Sequence, residues 1–486
     1  MEKITCKNES FYDEYGRERI FYGIALCDKG MRKEGQKSYN FKWDKAILDD
    51  IQKSGFNVVR LGITWDQVEP EPQKYDEDYI NIICETLEEL KKRNIYVFID
   101  MHQDLYSGLS GVGDGAPKWA CLTDGYKFKP YKYVWAEGYY FHRAVHRCFD
   151  NFWNNKEIPN FKGVMDMYCD MLSFLAKRFS AYSNIMGWDV MNEPYAGSIG
   201  AKIFRTIALN SIKIILTERN IKKTELLKNL IDKNNRHKIF NIVSAHLLRK
   251  AASPADKILK EFDKRYYSLF LSKATQAIRK ETQNGSILIE GNYFSNIGLP
   301  SGTPKISVND IIESNQAYTP HGYDIVDGTP YYKYASSERI GLIFSQHRLT
   351  QKRLNVPVIV GEWGGYTPGT DWHFHLKDIL AIFDSFHWSS TYYAYINNFF
   401  NLEIANVLKR PYPEAVSGKI EEYSYDYDKK LFSLSFLQDL SIDKPTIIKT
   451  PLKIKSIETN CNYEIRENEV LLLSDKHNAF CKITFD

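Results

Sequence analysis

Eight short runs of β-branched and aromatic residues recur along the first four hundred positions, each separated from the next by a longer amphipathic stretch. The runs are "IFYGIAL", "FNVVRLGI", "IYVFIDMH", "IMGWDVMNE", "SILIEGN", "QAYTPHGY", "VPVIVGEW" and "TYYAYINN". Between the second and third lies "DEDYINIICETLEELKKRN", where Ile80, Ile83, Leu87 and Leu90 recur at helical spacing behind Asp76, a suitable N-cap. Near-continuous apolar strands alternating with helices require a parallel sheet covered on its outer side. Eight such units predict an α/β fold, a (β/α)8 TIM barrel, over residues 1–410.

Two stretches break the repeat. Residues 201–260 carry fourteen Lys and Arg against four Asp and Glu, while the whole chain has a net charge of only +3. This stretch reads as a basic helical insertion between the fourth strand and its barrel helix. Two roles stay open for it, a solvated lid or a surface touching anionic lipid or a lipid substrate. After "RPYPEAVSG", the closely spaced runs "LFSLSFL", "PLKIKSI", "EVLLLS" and "FCKITFD" predict a C-terminal antiparallel β-sandwich over 411–486. A hydrophobic core accounts for these runs, and apolar loops presented to a membrane are the alternative.

The small net charge argues against a nucleic-acid partner. Thirty-three tyrosines and nine tryptophans suit stacking on sugar rings, and equally a Tyr-rich proteome. Eight cysteines show no CxxC spacing. They are expected as buried free thiols, with a Cys461–Cys481 pair left open. The N-terminal "MEKITCKNES" is unlike a secretory signal, and no apolar run reaches the roughly 20 residues that span a bilayer. A cytoplasmic location is therefore expected, with unconventional release left open.

The carboxyl ends of parallel barrel strands form one rim, where active sites are built. Polar residues interrupt the apolar runs there: Arg60, His102 with Asp104, Asn192 with Glu193, Glu290, His321 with Tyr323, and Glu362. Two rim carboxylates, Glu193 and Glu362, suit hydrolysis of a glycosidic bond: one protonates the leaving oxygen while the other attacks carbon or activates water. At about 5 Å and an effective dielectric near 20 they repel by about 3 kcal/mol, enough to keep one protonated near neutrality. Glu193 taken alone could instead be a structural carboxylate bonded to Arg60, and its pairing with Glu362 weighs against that. Glu290, without a matching polar neighbour in sequence, reads as a structural acid. His102, Asp104 and His321 lack the short spacing of a zinc motif and suit sugar hydroxyls, so no metal or other cofactor is expected.

These residues resemble glycoside hydrolase family five, more narrowly its endoglycoceramidase and glucosylceramidase-related branch. The resemblance rests on "MNEP" and "VGEWGG", on "GFNVVRLGITWDQVEPEPQKYDEDYI", on "IDMHQDLYS" with "GDGAPKWA", on "NFWNN", and on "RPYPEAVSG" leading into the sandwich. It runs from about Ile20 through Phe436 and leaves out the basic segment. It implies a retaining β-glycosidase cleaving the sugar–lipid bond of glycosphingolipids such as glucosylceramide; peripheral membrane contact through the insertion or the sandwich stays open from the two patterns above. Glu193 would be the acid/base and Glu362 the nucleophile. Asn192 would contact the sugar 2-hydroxyl, and Arg60 and Tyr323 would orient Glu362. His102, Asp104 and His321 would line the sugar subsite, with Lys29 and Trp153 nearby. Tyr393 stands where the family often has tryptophan. An exo-acting β-glucosidase on steryl or other amphiphilic glucosides is the alternative enzyme. A non-catalytic glycolipid-binding barrel is the third reading.

Overall fold

Strand pairing in the computed structural model, which describes residues 1–27, 43–129, 135–218, 222–232 and 235–486, follows chain order around a barrel. Strand β1 (Tyr22–Cys27) pairs in parallel with β2 (Val58–Thr64), and the ladder continues through β3 (Tyr96–His102), β4 (Ile185–Asp189), β5 (Ser286–Glu290) and β6 (Gln316–Thr319). On its other edge β1 pairs with β8 (Ser389–Tyr392), which pairs with β7 (Ile359–Val360). A parallel bridge from Tyr318 to Val358 joins the two ends, and His321–Gly322 pairs with Glu362–Trp363 just beyond it. All eight predicted runs supply the strands in sequence order, as the α/β barrel reading expected.

The barrel interior is split into two layers. At the floor, Val58, Tyr96, Phe98, Met186, Leu288, Ala317 and Ile359 form one apolar cluster with Phe21, Ile4 and Phe11. Ile4 and Phe11 come from the N-terminal segment, which thereby plugs the bottom. Above this floor the inward positions turn polar: Arg60, Asp100 and Asp189 are all buried. Gly62 pairs with Asp100, and Asp100 with Asp189. A Cβ at Gly62 would lie 2.6 Å from Cys27 Sγ and 3.2 Å from Asp100 Oδ2. Glycine there leaves room for the charged layer.

The helices pack outside. Glu77–Lys92 starts where Asp76 accepts from Tyr79 N at 3.2 Å, and it buries Ile80, Ile83, Leu87 and Leu90. Each buried aliphatic side chain contributes about 1.5–3 kcal/mol, so this stripe holds the helix to the sheet.

Between β4 and its barrel helix (Ser268–Glu281) lie helices Ser198–Thr217, Lys223–Ile231, Ala245–Ala252 and Asp256–Phe262. This helical excursion is tied to the loop after β6. Arg339 donates to the carbonyls of Phe240 and Val243 at 2.8 and 2.9 Å while gripping both oxygens of Asp324 at 2.8 Å.

The C-terminal sandwich has a four-stranded sheet (Gly418–Asp426, Leu431–Gln438, Asn478–Phe485, Ile454–Thr459) and a seven-stranded one. Leu431–Gln438 alternates buried and half-buried positions, as one covered face requires. The larger sheet includes three N-terminal strands, Thr5–Lys7, Ser10–Tyr12 and Glu18–Arg19, the last pairing with Tyr412–Val416. The chain's first residues thus belong to the sandwich sheet as well as to the barrel floor. All eight cysteines are free thiols, Cys461 and Cys481 included. Among the described residues no helix is long and apolar enough to cross a membrane.

Candidate active site

The hydrogen-bonded part of β4 stops at Asp189, four residues before Glu193. The chain stays in register beyond it through Asn192 N, which donates to Met101 O at 3.0 Å. Glu193 then adopts φ +42°, a left-handed conformation that a residue with a Cβ rarely takes. Gln103 holds this turn, donating from Nε2 to the carbonyls of Asn192 and Glu193 at 2.9 and 3.2 Å. The strand therefore ends before its apolar run does, because the backbone must leave the sheet to aim Glu193 into the mouth.

Glu193 is buried, and Asn296 Nδ2 donates to its Oε1 at 2.6 Å. The same oxygen is 3.1 Å from His321 Nδ1, while Glu362 Oε2 is 3.6 Å from that nitrogen. One carboxylate oxygen from each of Glu193 and Glu362 lies within 4.8 Å of the other. A Cβ at Gly361 would sit 2.8 Å from His321 Nε2, so glycine there admits the ring between the two acids.

The two carboxyls differ in their surroundings. Glu362 is gripped by Arg60 Nη1 and accepts from Tyr323 Oη at 2.9 Å. Glu193 has its pKa raised, chiefly by burial, with Glu362 and Asp104 adding to the effect and His321 opposing it. One carboxyl thus bonds a guanidinium and a phenol, and the other is biased toward keeping its proton.

Arg60 is wholly buried and organises the polar layer. Its Nη2 reaches Asp100 Oδ1 at 3.1 Å, Asp189 Oδ2 at 3.0 Å and Asn192 Oδ1 at 2.8 Å. Asn192 also donates from Nδ2 to Gln103 O at 3.0 Å. An amide nitrogen carries two hydrogens, and that bond uses one. Beyond Asp100, His102 Nδ1 is 2.8 Å from Asp100 Oδ2, and its Nε2 is 3.8 Å from Asp104 Oδ2. Tyr393, half-buried, lies nearly parallel to the His102 ring at 6.1 Å.

Of the residues singled out in the sequence, Glu193, Glu362, Arg60, Asn192, His321 and Tyr323 form one bonded network, with His102, Asp104 and Tyr393 at its edge. Trp153 does not join them. It is buried against Phe152, Phe262 and Phe270, and its Nε1 donates to Tyr195 O at 2.8 Å. Its place on an inward helix face puts it in the core, against rings of the neighbouring helices. Lys29 lies outside the described residues. Glu290 does have a polar neighbour, since His321 Nε2 is 2.9 Å from its Oε1. Sequence reading missed Asp100 and Asp189, although both interrupt apolar strands as Arg60 does. Asn296 and Gln103 carry no comparable signal, being polar residues in polar loops.

Three triads bring one potential ligand atom each within 4.8 Å: His102–Asp104–Asp114, Asp189–Glu290–His321 and Glu193–His321–Glu362. In the last two, Arg60 and His321 already supply positive charge and hydrogen-bond donors. The first has the mixed donors and acceptors that adjacent sugar hydroxyls take.

Known proteins of similar sequence and fold bracket this site. The chain is 32% identical over 222 residues to an endoglycoceramidase of Cyanea nozakii, a match covering 40% of this chain and 42% of that protein. Against an endoglycoceramidase of Hydra vulgaris it is 25% identical, with 89% and 77% covered, and against endoglycoceramidase I of Rhodococcus hoagii 24%, with 87% and 75% covered. The solved structure of endo-glycoceramidase II from Rhodococcus sp. superposes with a TM-score of 0.75 at 22% identity, covering 99% of this chain and all of that one. The profile of the glycoside hydrolase family 5 C-terminal domain matches residues 410–482. That of the cellulase family, glycosyl hydrolase family 5, matches 13–231 and 268–398, passing over part of the helical excursion. A closed barrel with two rim glutamates, matched by this profile over most of its length, places the chain in glycosyl hydrolase family 5 and makes it a glycoside hydrolase.

Proposed function

We propose that this enzyme hydrolyses the β-glycosidic bond between sugar and lipid in glycosphingolipids or similar glycolipids, with retention of configuration. One observation carries the chemistry: Glu193 and Glu362 present oxygens within 4.8 Å of each other at the rim of the barrel. Carboxyl separations near 5 Å suit a covalent intermediate, whereas inverting enzymes hold the pair at about 6.5–9.5 Å to admit a water.

In this reading Glu362, oriented by Arg60 and Tyr323, attacks the anomeric carbon as the bond to the leaving oxygen breaks. Glu193 gives that oxygen its proton. Water then displaces Glu362 from the anomeric carbon, and Glu193 takes the proton back. Asn192 donates to the sugar 2-hydroxyl, an interaction that strengthens as positive charge develops on the ring. His102, Asp104 and Tyr393 line the sugar side.

The lipid substrate is supported by the endoglycoceramidases among the relatives, two of which match over most of this chain. Peripheral contact with a lipid surface belongs to the same reading, because long-chain glycolipids reside in bilayers. A second substrate class has its own support in a 26% identical ergosteryl-beta-glucosidase of Saccharomyces cerevisiae, matched over 36% of this chain. Incubation with glucosylceramide, a longer glycosphingolipid, a steryl glucoside and a cello-oligosaccharide separates these readings. Release of a sugar or an intact oligosaccharide from a sphingolipid is expected, and cleavage of the cello-oligosaccharide alone would overturn the lipid assignment.

A further inference from the structure

The helix Ser198–Thr217 begins five residues beyond Glu193, and its outer face is unusual. Its exposed positions include Lys202, Arg205, Leu209, Ile212, Lys213 and Leu216, which share one side at three- and four-residue intervals. Leu209, Ile212 and Leu216 are 62%, 54% and 64% exposed. Helices on a soluble barrel normally turn polar residues outward. This one buries Gly200, Ile203 and Ile214 on its inner side and contains no acidic residue.

An aromatic path joins that helix to the catalytic pair. Phe204 stacks on Tyr140 at 4.2 Å and meets the edge of Phe141 at 5.4 Å; Phe141 is 63% exposed. The Tyr140 hydroxyl is 2.9 Å from that of Tyr293, whose ring packs on Tyr139 at 4.4 Å. Tyr293 N donates to Pro194 O at 3.3 Å, and Asn296 of the same turn donates to Glu193 Oε1 at 2.6 Å, so these rings stand beside that carboxyl. A general acid protonates the leaving oxygen, so the lipid part of a substrate departs on the Glu193 side.

We propose that the Lys202–Leu216 face docks on an anionic lipid bilayer, and that Phe141, Phe204, Tyr140 and Tyr293 line the path along which the lipid part of the substrate reaches Glu193. This rests on the glycolipid reading above. Aliphatic side chains flanked by cations are the pattern of a helix lying in the headgroup region. The surrounding residues 201–260 strengthen the match, with fourteen basic against four acidic side chains in a chain of net charge +3. A stripe one side chain wide falls well short of the roughly 800 Å² per partner that a stable dimer buries.

The test measures sedimentation of the full chain with vesicles of phosphatidylcholine, with and without phosphatidylserine. Two triple variants are compared with the parent: Leu209→Ser with Ile212→Ser and Leu216→Ser, and Lys202→Gln with Arg205→Gln and Lys213→Gln. Each is expected to bind phosphatidylserine vesicles at least about tenfold more weakly. Hydrolysis of a water-soluble aryl glycoside is expected to be unchanged, while glycolipid in vesicles is cleaved more slowly. Parent-like binding by both variants, or no vesicle binding by the parent, would overturn the proposal. So would dimerisation of the parent without lipid that the Ser variant abolishes, which would assign the face to a second copy. Vesicle binding is read without turnover, so its failure is distinct from a failure to cleave glycolipids.

Discussion

His321 Nε2 lies 2.9 Å from Glu290 Oε1, a buried pair directly behind Glu193 and Glu362, the proposed acid and nucleophile. Burial opposes charge on the imidazole, but Glu290 and Glu362 outweigh it and push its pKa up to about 10. A protonated imidazole donates from Nδ1 toward Glu193 and favours that carboxyl's charged form. Glu290 thus sets, through His321, how tightly Glu193 holds its proton.

Replacing Glu290 with Gln removes one of the acids that raise the His321 pKa. The imidazole then loses its proton at lower pH, Glu193 loses a neighbouring positive charge, and the Glu193 pKa rises. Because the acid must be protonated to act, the basic limb of kcat/KM for Glu290→Gln is expected to move to higher pH. A purely structural role would lower activity across the range and leave that limb in place. Measured pH profiles of the two proteins decide between them.

Loss of the general acid matters most where the leaving group is poor. For Glu193→Gln, kcat on an alkyl glycoside is expected to fall by about 10²–10⁴. The glycosylation step with an activated aryl glycoside is expected to change far less, because such a group leaves without protonation. Pre-steady-state comparison of the two substrate types measures this split, and equal losses on both would contradict the assigned role.

Arg60 is the sole guanidinium among Asp100, Asp189 and Glu362 in the described layer. Its removal in Arg60→Met takes the guanidinium from three buried carboxylates, a change worth about 3–5 kcal/mol in stability. Denaturant unfolding is expected to show that loss together with loss of turnover. Stability within about 0.5 kcal/mol of the parent would contradict the structural account of this layer.

Trp153 offers a control. Its ring lies in the core and its Nε1 bonds Tyr195 O. Trp153→Phe is expected to cost about 1–2 kcal/mol in unfolding free energy while leaving KM for a glycoside unchanged. A changed KM with unaltered stability would return Trp153 to the sugar subsite.

The barrel was legible because its pattern is repeated: eight apolar runs, each ending in polar residues, leave few alternatives to a closed parallel sheet. Glu193, Glu362, Arg60, His321 and Tyr323 were legible for the same reason, standing at strand ends where a buried run has no structural use for charge. The N-terminal hairpin was not, because Thr5–Lys7 and Ser10–Tyr12 are three residues each and carry no detectable period. They join the sandwich only through Glu18–Arg19, whose partner strand Tyr412–Val416 lies some four hundred residues away in the chain. Trp153 failed for a different reason: an aromatic in a short motif is equally suited to a core, and only packing distinguishes the two. Asn296 reaches Glu193 from a loop whose path is set by the fold rather than by local sequence.

The covalent step is the account's central claim, and trapping it is the most direct test. Incubation with an activated 2-deoxy-2-fluoro glycoside followed by peptide mass mapping is expected to find one glycosyl group on Glu362. An adduct on another residue, or a product of inverted anomeric configuration from a normal substrate, would contradict it.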